Sequence, residues 1–147
     1  MSGMLTEPQL DPFGALLTEL RDDLDVGLLV GDRVRGSKPS PGDVRGPKDF
    51  VSFIVISALS VPIHPRVPVS WAEYGVRCYA PTFQAAWAIW GAVVKTLHVV
   101  GPRVKTSGLG IYRTAILTGG EEVEDPDTKQ PYVEGTVQLI ATAQVVT

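Results

Sequence analysis

The segment from Phe50 to Leu59 constrains the fold of this chain more than any other stretch. It is rich in β-branched and aromatic residues, and its apolar side chains follow one another without clean alternation. A run of this length and composition is typical of a central strand whose two faces are both buried. The rest of the chain must therefore supply a covering layer on each side of a β-sheet.

Other segments predict further strands of that sheet. Trp71 to Ala80, Leu109 to Thr118 and Tyr132 to Val146 are strand-like over their whole length, and Asp32 to Arg35 predicts a short strand that leads into a loop. In the strands from Trp71 to Ala80 and from Tyr132 to Val146, apolar and polar residues alternate, so we expect one face to be buried and the other to be exposed to solvent. The apolar positions of these two strands are Ala72, Tyr74, Val76, Cys78, Val133, Val137, Leu139, Ala141, Ala143 and Val145.

Two segments have helical spacing. Asp11 and Pro12 are typical of a helix N-cap and first turn, and they predict a helix from Pro12 to about Leu24. Thr82 can cap a second helix, which Gly101 and Pro102 end. The apolar stripes are Phe13, Leu16, Leu17, Leu20 and Leu24 in the first helix, and Phe83, Ala86, Trp87, Trp90, Val93, Val94 and Leu97 in the second.

The order of these elements predicts the fold class. A helix, a group of strands, a second helix and two long strands follow one another, and neither a repeat nor a linker divides them. A chain of 147 residues has the length of one domain. We expect residues 1–147 to form a single α+β domain, with a mainly antiparallel sheet of about four or five strands and two helices packed on it.

Two charged segments lie between the predicted elements. Residues 36–48 contain three prolines and three glycines and have almost no apolar content, so an exposed, mobile loop is expected there. Residues 119–131 are too long and too acidic for a tight hairpin turn, and we expect a projecting loop. The basic residues in or beside the first loop are Arg35, Lys38, Arg45 and Lys48, and the acidic residues of the second are Glu121, Glu122, Glu124, Asp125 and Asp127.

The sequence predicts neither a metal site, nor a bound cofactor, nor a catalytic centre. His64, His98 and Cys78 stand at separations that match no metal-ligand spacing, and Cys78 lies on the apolar face of a predicted strand, where a thiol is usually packed in the core. The glycines at 108 and 110 precede a strand and open no helix, so they do not form a phosphate-binding loop. The sequence motifs of phosphoryl transfer, acyl transfer and metallo-hydrolysis do not occur.

Composition excludes several further classes. The net charge of −3 provides no global attraction to nucleic acid or to anionic lipid. The single cysteine cannot form an internal disulfide, and no secretion signal opens the sequence, so folding in a reducing compartment is expected. No apolar run reaches the ~20 residues of a membrane-spanning helix. Three tryptophans exceed what one small core requires, which favours a subunit interface for some of them.

The pattern of nearly the whole chain resembles the tail terminator, or minor tail, proteins of long-tailed bacteriophages. The resemblance rests on a leucine-striped opening helix, a short strand before a Pro/Gly loop, a first long apolar strand, and a long final strand after an acidic loop. The segments that carry it are Leu16–Leu20, Gly31–Val34, Pro47–Ile56, Tyr74–Tyr79 and Val93–Leu97.

The resemblance implies a structural role without catalytic residues. Such a protein forms a ring, a hexamer by family analogy, that caps the growing tail tube, stops its polymerisation and presents a surface to the head-neck connector. Its implied partners are further copies of itself, the tail-tube protein and a head-completion or neck protein, with DNA passing through the lumen of the ring. Its implied location is the tail or neck of the virion, after synthesis in the host cytoplasm.

The two charged loops are our candidate interface residues. In a stacked assembly, opposite charges on separate loops could discriminate the two axial neighbours of a ring. We therefore expect the acidic loop from Glu121 to Asp127 and the basic loop from Arg35 to Lys48 to make the axial contacts.

Three alternatives stay open. A neck or head-completion component would also form a ring, but with different partners. A small ligand-binding or enzymatic domain would require a deep pocket with converging polar groups. A nucleic-acid binder that uses the basic loop would show salt-sensitive DNA affinity.

Overall fold

The computed structural model of the protein describes residues 12–46, 48–60, 69–97, 103–105 and 110–142. Within these residues the chain forms three helices and one six-stranded sheet. The elements are α1 (Pro12–Asp22), α2 (Leu24–Val30), β1 (Val34–Gly36), β2 (Phe53–Ser60), β3 (Val69–Tyr79), α3 (Phe83–Leu97), β4 (Arg103–Lys105), β5 (Gly110–Glu124) and β6 (Pro131–Thr142).

The sheet has the strand order β1-β2-β3-β6-β5-β4. Every neighbouring pair is antiparallel except β1 and β2, which are parallel. The longest regular ladder joins β3 to β6, from the pair Tyr79 and Tyr132 to the pair Val69 and Thr142. The α+β class with a mainly antiparallel sheet is therefore confirmed, with one strand and one helix more than the sequence predicts.

The first predicted helix ends two residues early, and a helix that the sequence did not predict begins after Asp23. This residue has extended backbone angles (φ −72°, ψ 130°), and its carboxylate accepts a hydrogen bond from the Val26 amide at 3.0 Å. A short acidic side chain that captures a free amide in this way begins a new helix. The helix expected from Pro12 to Leu24 therefore ends at Asp22, and α2 follows it. The predicted N-cap at Asp11 lies outside the described residues.

The main core lies between the helices and one face of the sheet. The four alternating apolar residues of β3, from Ala72 to Cys78, are all buried there, as the sequence predicts. Helix α3 packs over the central strands, and its predicted cap is confirmed by a hydrogen bond from the Ala85 amide to the Thr82 hydroxyl at 3.1 Å. The indole of Trp90 lies against Gly135 of β6, which brings α3 close to the sheet.

The first half of β2 is also buried on its other face, as predicted, whereas Leu59 near its end is 59% exposed. Phe53 and Val55 form a second, smaller apolar cluster there with Tyr79 and Tyr132. Because β1 and β2 are parallel, the chain between them must return along the sheet, and Pro39 and Val44 of this return segment lie over this second face. We call it the helix-free face. A hydrogen bond from the Gln130 side-chain amide to the Val51 carbonyl at 2.8 Å joins this return segment to the turn before β6.

The structure corrects the limits of both predicted loops. Residues 119–124 belong to β5, so the acidic loop expected at 119–131 is a short turn over residues 125–130. Two register shifts around Thr118 accommodate the glycine pair and let the strand continue with its glutamates in solvent. In the segment 36–48, of which Pro47 is not described, Asp43 is only 3% exposed, so the segment has an anchored centre and is not exposed throughout. Strand β6 is described to Thr142, and residues 143–147 of the predicted strand lie outside the described part.

Candidate interaction surfaces

The outer edge of β5 carries three of the predicted interface residues, Glu121, Glu122 and Glu124. On one side β5 pairs with β6 along its length, as far as Glu124 opposite Pro131. On the other side β4 pairs only with positions 110–112 of β5. Among the strands that the structure describes, none pairs with the outer edge of positions 113–124. We call this segment the β5 edge.

A tryptophan of α3 lies against the β5 edge. The indole N–H of Trp87 donates a hydrogen bond to the Glu122 carboxylate at 2.8 Å. A Cβ atom at Gly120 would lie 2.6 Å from the indole ring, so the strand backbone passes directly beneath it. The side chain is nevertheless 39% exposed. In the described part of the chain, the β5 edge therefore combines backbone groups that no strand pairs, carboxylates and a large aromatic surface in contact with solvent.

The remaining acidic candidates, Asp125 and Asp127, form the turn between β5 and β6. The Asp125 carboxylate accepts hydrogen bonds from the amides of Asp127 at 2.9 Å and Thr128 at 3.0 Å. Burial alone raises the pKa of Asp125, but these amide hydrogen bonds outweigh it, and the pKa lies below its ordinary value. Asp125 therefore shapes the turn, whereas the Asp127 side chain is exposed.

The basic candidates also divide into one residue that is bonded within the chain and three that face solvent. Arg35 on β1 forms an ion pair with Asp43 at 2.9 Å, and the amide of Ser40 donates to the same carboxylate at 3.1 Å. Burial raises the pKa of Asp43, but the hydrogen bonds from Arg35 and Ser40 lower it by more. The pKa of the carboxyl group therefore lies below its usual range. This pair anchors the centre of the loop, and Arg35 is engaged within the chain.

The other basic residues face solvent. Arg45 donates only to the nearby carbonyl of Gly42, at 3.1 Å, and Lys38 and Lys48 form no ion pair with any residue in the described part of the chain. Val44 between them is 43% exposed. We call Lys38, Val44, Arg45 and Lys48 together the basic loop surface.

The acidic turn and the basic loop border one groove on the helix-free face. The groove has a volume of about 300 Å³. Its floor is aromatic, because Phe53 stacks on Tyr79 with ring centroids 4.5 Å apart, and Tyr79 contacts Tyr132 at 4.7 Å. The groove is lined by Pro39, Val44, Phe53, Arg77, Tyr79, Asp125, Asp127, Thr128 and Gln130.

Arg77 completes this aromatic cluster and was not a predicted site residue. Its guanidinium lies 5.1 Å from the centroid of the Tyr132 ring and donates to Glu134 at 2.9 Å. Alternation along β3 places Arg77 and Tyr79 on the same face, so that part was readable from the sequence. The contact of the Arg77 guanidinium with the Tyr132 ring depends on the pairing of β3 with β6, and this pairing cannot be read from the sequence.

Helix α2 has an apolar exposed side. Leu24 and Leu28 are one turn apart and are 76% and 78% exposed. Beside them the Lys95 ammonium pairs with the Asp25 carboxylate at 3.0 Å, in a solvent-exposed bridge. An exposed apolar ridge of this kind is typical of a surface that contacts other proteins.

The described residues show no grouping of three or more metal-ligating side chains. Cys78 is fully buried in the main core, and burial raises the pKa of its thiol, so the sulfur stays protonated. His64, His98 and Gly108 lie outside the described residues, and Gly110 is the first residue of β5. None of the helices in the described part has the length and apolar character needed to cross a membrane.

Comparisons with known proteins find a similarity among solved structures. No protein-family model matches the sequence. No curated protein matches it either. Among solved structures, a chain in the virion of the native gene transfer agent particle matches with a TM-score of 0.59 and 17% sequence identity. The match covers 87% of this chain and 92% of that chain. At this identity the similarity shows a common fold.

Proposed function

We propose that this protein is a structural component of a phage-like virion and acts by assembling with copies of itself and with other virion proteins. The observation that carries the proposal is the similarity to a chain of the gene transfer agent virion, which covers 87% of one chain and 92% of the other. Because the alignment nearly spans both chains, the similarity concerns a complete architecture and not one shared motif. A virion is the location that this proposal implies.

The surfaces of the chain support a role in assembly. The described residues combine a partly exposed tryptophan, a strand edge that no described strand pairs and an apolar ridge on α2, all of which are typical of protein-protein contacts. The buried Cys78 provides no accessible nucleophile. We therefore propose a protein without a catalytic role and without a cofactor.

Our finer proposal is a tail terminator. The segments Leu16–Leu20, Pro47–Ile56 and Val93–Leu97 carry the sequence resemblance to that family. In this role the chain forms a ring, a hexamer by analogy, that caps the tail tube, ends its polymerisation and joins the tail to a head-completion or neck protein. DNA would pass through the lumen of this ring. A different neck or head-completion ring is the alternative within the same class.

The experiment is an assembly assay with the tail-tube protein encoded in the same genome. Light scattering behind size exclusion measures the mass of this chain alone, of the tube protein alone and of the mixture, and negative-stain microscopy measures tube length. A terminator makes the tubes shorter in proportion to its concentration and leaves a ring at the tube end. Rings that form while tube length stays unchanged would favour the neck or head-completion alternative.

A ligand-binding domain is the competing class, and the aromatic groove is the observation that favours it. Its volume of about 300 Å³ lies at the small end of the range for ligand pockets. A chain that remains monomeric with and without the tube protein would contradict the assembly proposal and direct attention to this groove.

A further inference from the structure

Two surfaces of the chain are complementary in charge and in apolar content. The β5 edge has an excess of carboxylates, with Glu121 and Glu124 free of ion pairs in the described part of the chain, and Trp87 adds an exposed indole. The basic loop surface carries Lys38, Arg45 and Lys48 around the exposed side chain of Val44. The cations of the basic loop surface can pair with the carboxylates of the β5 edge, and Val44 can pack against the indole of Trp87.

Strands β1 and β5 lie far apart in the sheet, although the loop that follows β1 crosses the helix-free face toward the acidic turn after Glu124. Strand β1, which the basic loop follows, is the first strand of the sheet, and β5 is the fifth. Four strand spacings of about 4.8 Å place the two strands roughly 19 Å apart. None of the ion pairs in the described residues joins the basic loop surface to the β5 edge. The free charges of the two surfaces are therefore available for a contact between two copies.

We propose that the β5 edge with Trp87 binds the basic loop surface of a second copy of this chain, so that copies associate head to tail. This inference rests on the proposed function, since it names the contact that would join neighbours in a ring. It assigns the charged residues to lateral contacts between copies instead of the axial contacts expected from the sequence. When two copies bind through two different surfaces, the pair still has one free surface of each kind. Further copies can therefore add, and the product is a closed ring or a filament.

Trp87 is the anchor of this interface. Interface tryptophans are strongly enriched among the residues whose truncation costs most, at about 2 kcal/mol or more. Since each 1.4 kcal/mol is tenfold, Trp87→Ala should weaken self-association by roughly 30-fold. Thermal unfolding of the same variant shows whether the chain remains folded, because the indole also packs on Gly120.

The decisive experiment uses two charge-reversed variants. One combines Glu121→Lys with Glu124→Lys and retains Glu122, which is bonded to Trp87. The other combines Lys38→Glu with Lys48→Glu and retains Arg35, which is bonded to Asp43. In a head-to-tail interface each variant alone stays at the monomer mass of 15.8 kDa, measured by light scattering, because one half of every contact repels the other.

An equimolar mixture of the two variants distinguishes this geometry from any other. The intact basic loop surface of the first variant binds the intact β5 edge of the second, and their two reversed surfaces are again complementary, so the mixture regains assembly beyond a dimer with the two variants alternating. A chain with all four substitutions regains self-association, because both halves are reversed. The control is Asp22→Lys, an exposed acidic residue on α1, which should leave assembly unchanged.

Three results would overturn the inference: wild-type chain that stays monomeric at high concentration, charge-reversed variants that assemble as the wild type does, or a mixture that stays monomeric. The proposed function fails separately. If the mixture regains assembly but the wild type leaves tail tubes uncapped, the interface stands and the terminator role does not.

Discussion

The indole ring of Trp90 on α3 occupies the space that a side chain at position 135 of β6 would need. A Cβ atom at Gly135 would overlap three carbons of the ring, and Trp90 is only 4% exposed. The glycine therefore sets how closely the helix approaches the sheet. Since α3 provides much of the main core, this one contact controls the packing of the fold.

Gly135→Ala should destabilise the protein. Overpacking of a close contact costs about 1–3 kcal/mol because a rigid ring and a strand backbone must move apart. Urea unfolding measures the change in the free energy of unfolding. The matched control is Gly119→Ala, since a Cβ at Gly119 meets nothing within 4 Å. Equal effects of the two substitutions would show that the contact with Trp90 is not limiting.

Asp23→Ala should weaken the junction between α1 and α2. The Asp23 carboxylate holds the Val26 amide at 3.0 Å, and loss of such a cap costs about 1 kcal/mol. Asp22→Ala is the control, because Asp22 is exposed at the end of α1 and caps no helix. The expected result is a lower urea midpoint for the Asp23 variant only. A similar loss in both would indicate a general charge effect.

Asp43→Asn should remove stability in a pH-dependent way. The Arg35 hydrogen bond and the Ser40 amide hold the pKa of Asp43 below its usual range, so the folded state favours the carboxylate. This stability is fully present above the unfolded pKa of about 3.9 and is lost as pH falls through the lower folded pKa. Near neutral pH we expect the variant to lose about 2 kcal/mol.

The measurement is the free energy of unfolding of both proteins from neutral pH downwards. The difference between wild type and the Asp43 variant should be constant above about pH 5 and should shrink below about pH 4. A difference that does not change across this range would mean that the Arg35 pair does not favour the ionised carboxyl group.

Cys78 should be unreactive in the folded protein. The thiol is buried on β3, and burial raises its pKa, so neither access nor ionisation favours attack. A disulfide reagent such as Ellman's reagent should label the thiol at the rate of protein unfolding and react at once in denaturant. Rapid labelling of the native chain would contradict the buried position.

Much of the fold can be predicted from the sequence because it is recorded in local periodicity. Alternation along 71–80 and 132–139 identifies the buried face of β3 and β6, and the apolar run of β2 indicates burial on both faces. The helical stripe after Thr82 gives α3 with its cap. These patterns are readable because the burial of a residue follows from its own type and that of its near neighbours.

The candidate site was less accessible to the same reasoning. The acidic residues are correctly identified as a charged surface, but composition alone cannot distinguish an exposed strand edge from a loop, since both are solvated. The structure therefore moves Glu121, Glu122 and Glu124 from an expected loop to β5. Asp125 and Arg35 prove to be engaged within the chain.

The sequence by itself thus determined the buried faces of β3, β6 and α3 and the positions of most elements, whereas α2, β4 and the extension of β5 to Glu124 were not predicted. Only the tertiary structure decided which distant segments meet: Trp87 with Glu122, Val51 with Gln130, and Arg77 with Tyr132. The physical reason is that periodicity reports one face of one element, whereas these contacts depend on strand order and register, which are set by the packing of the whole sheet.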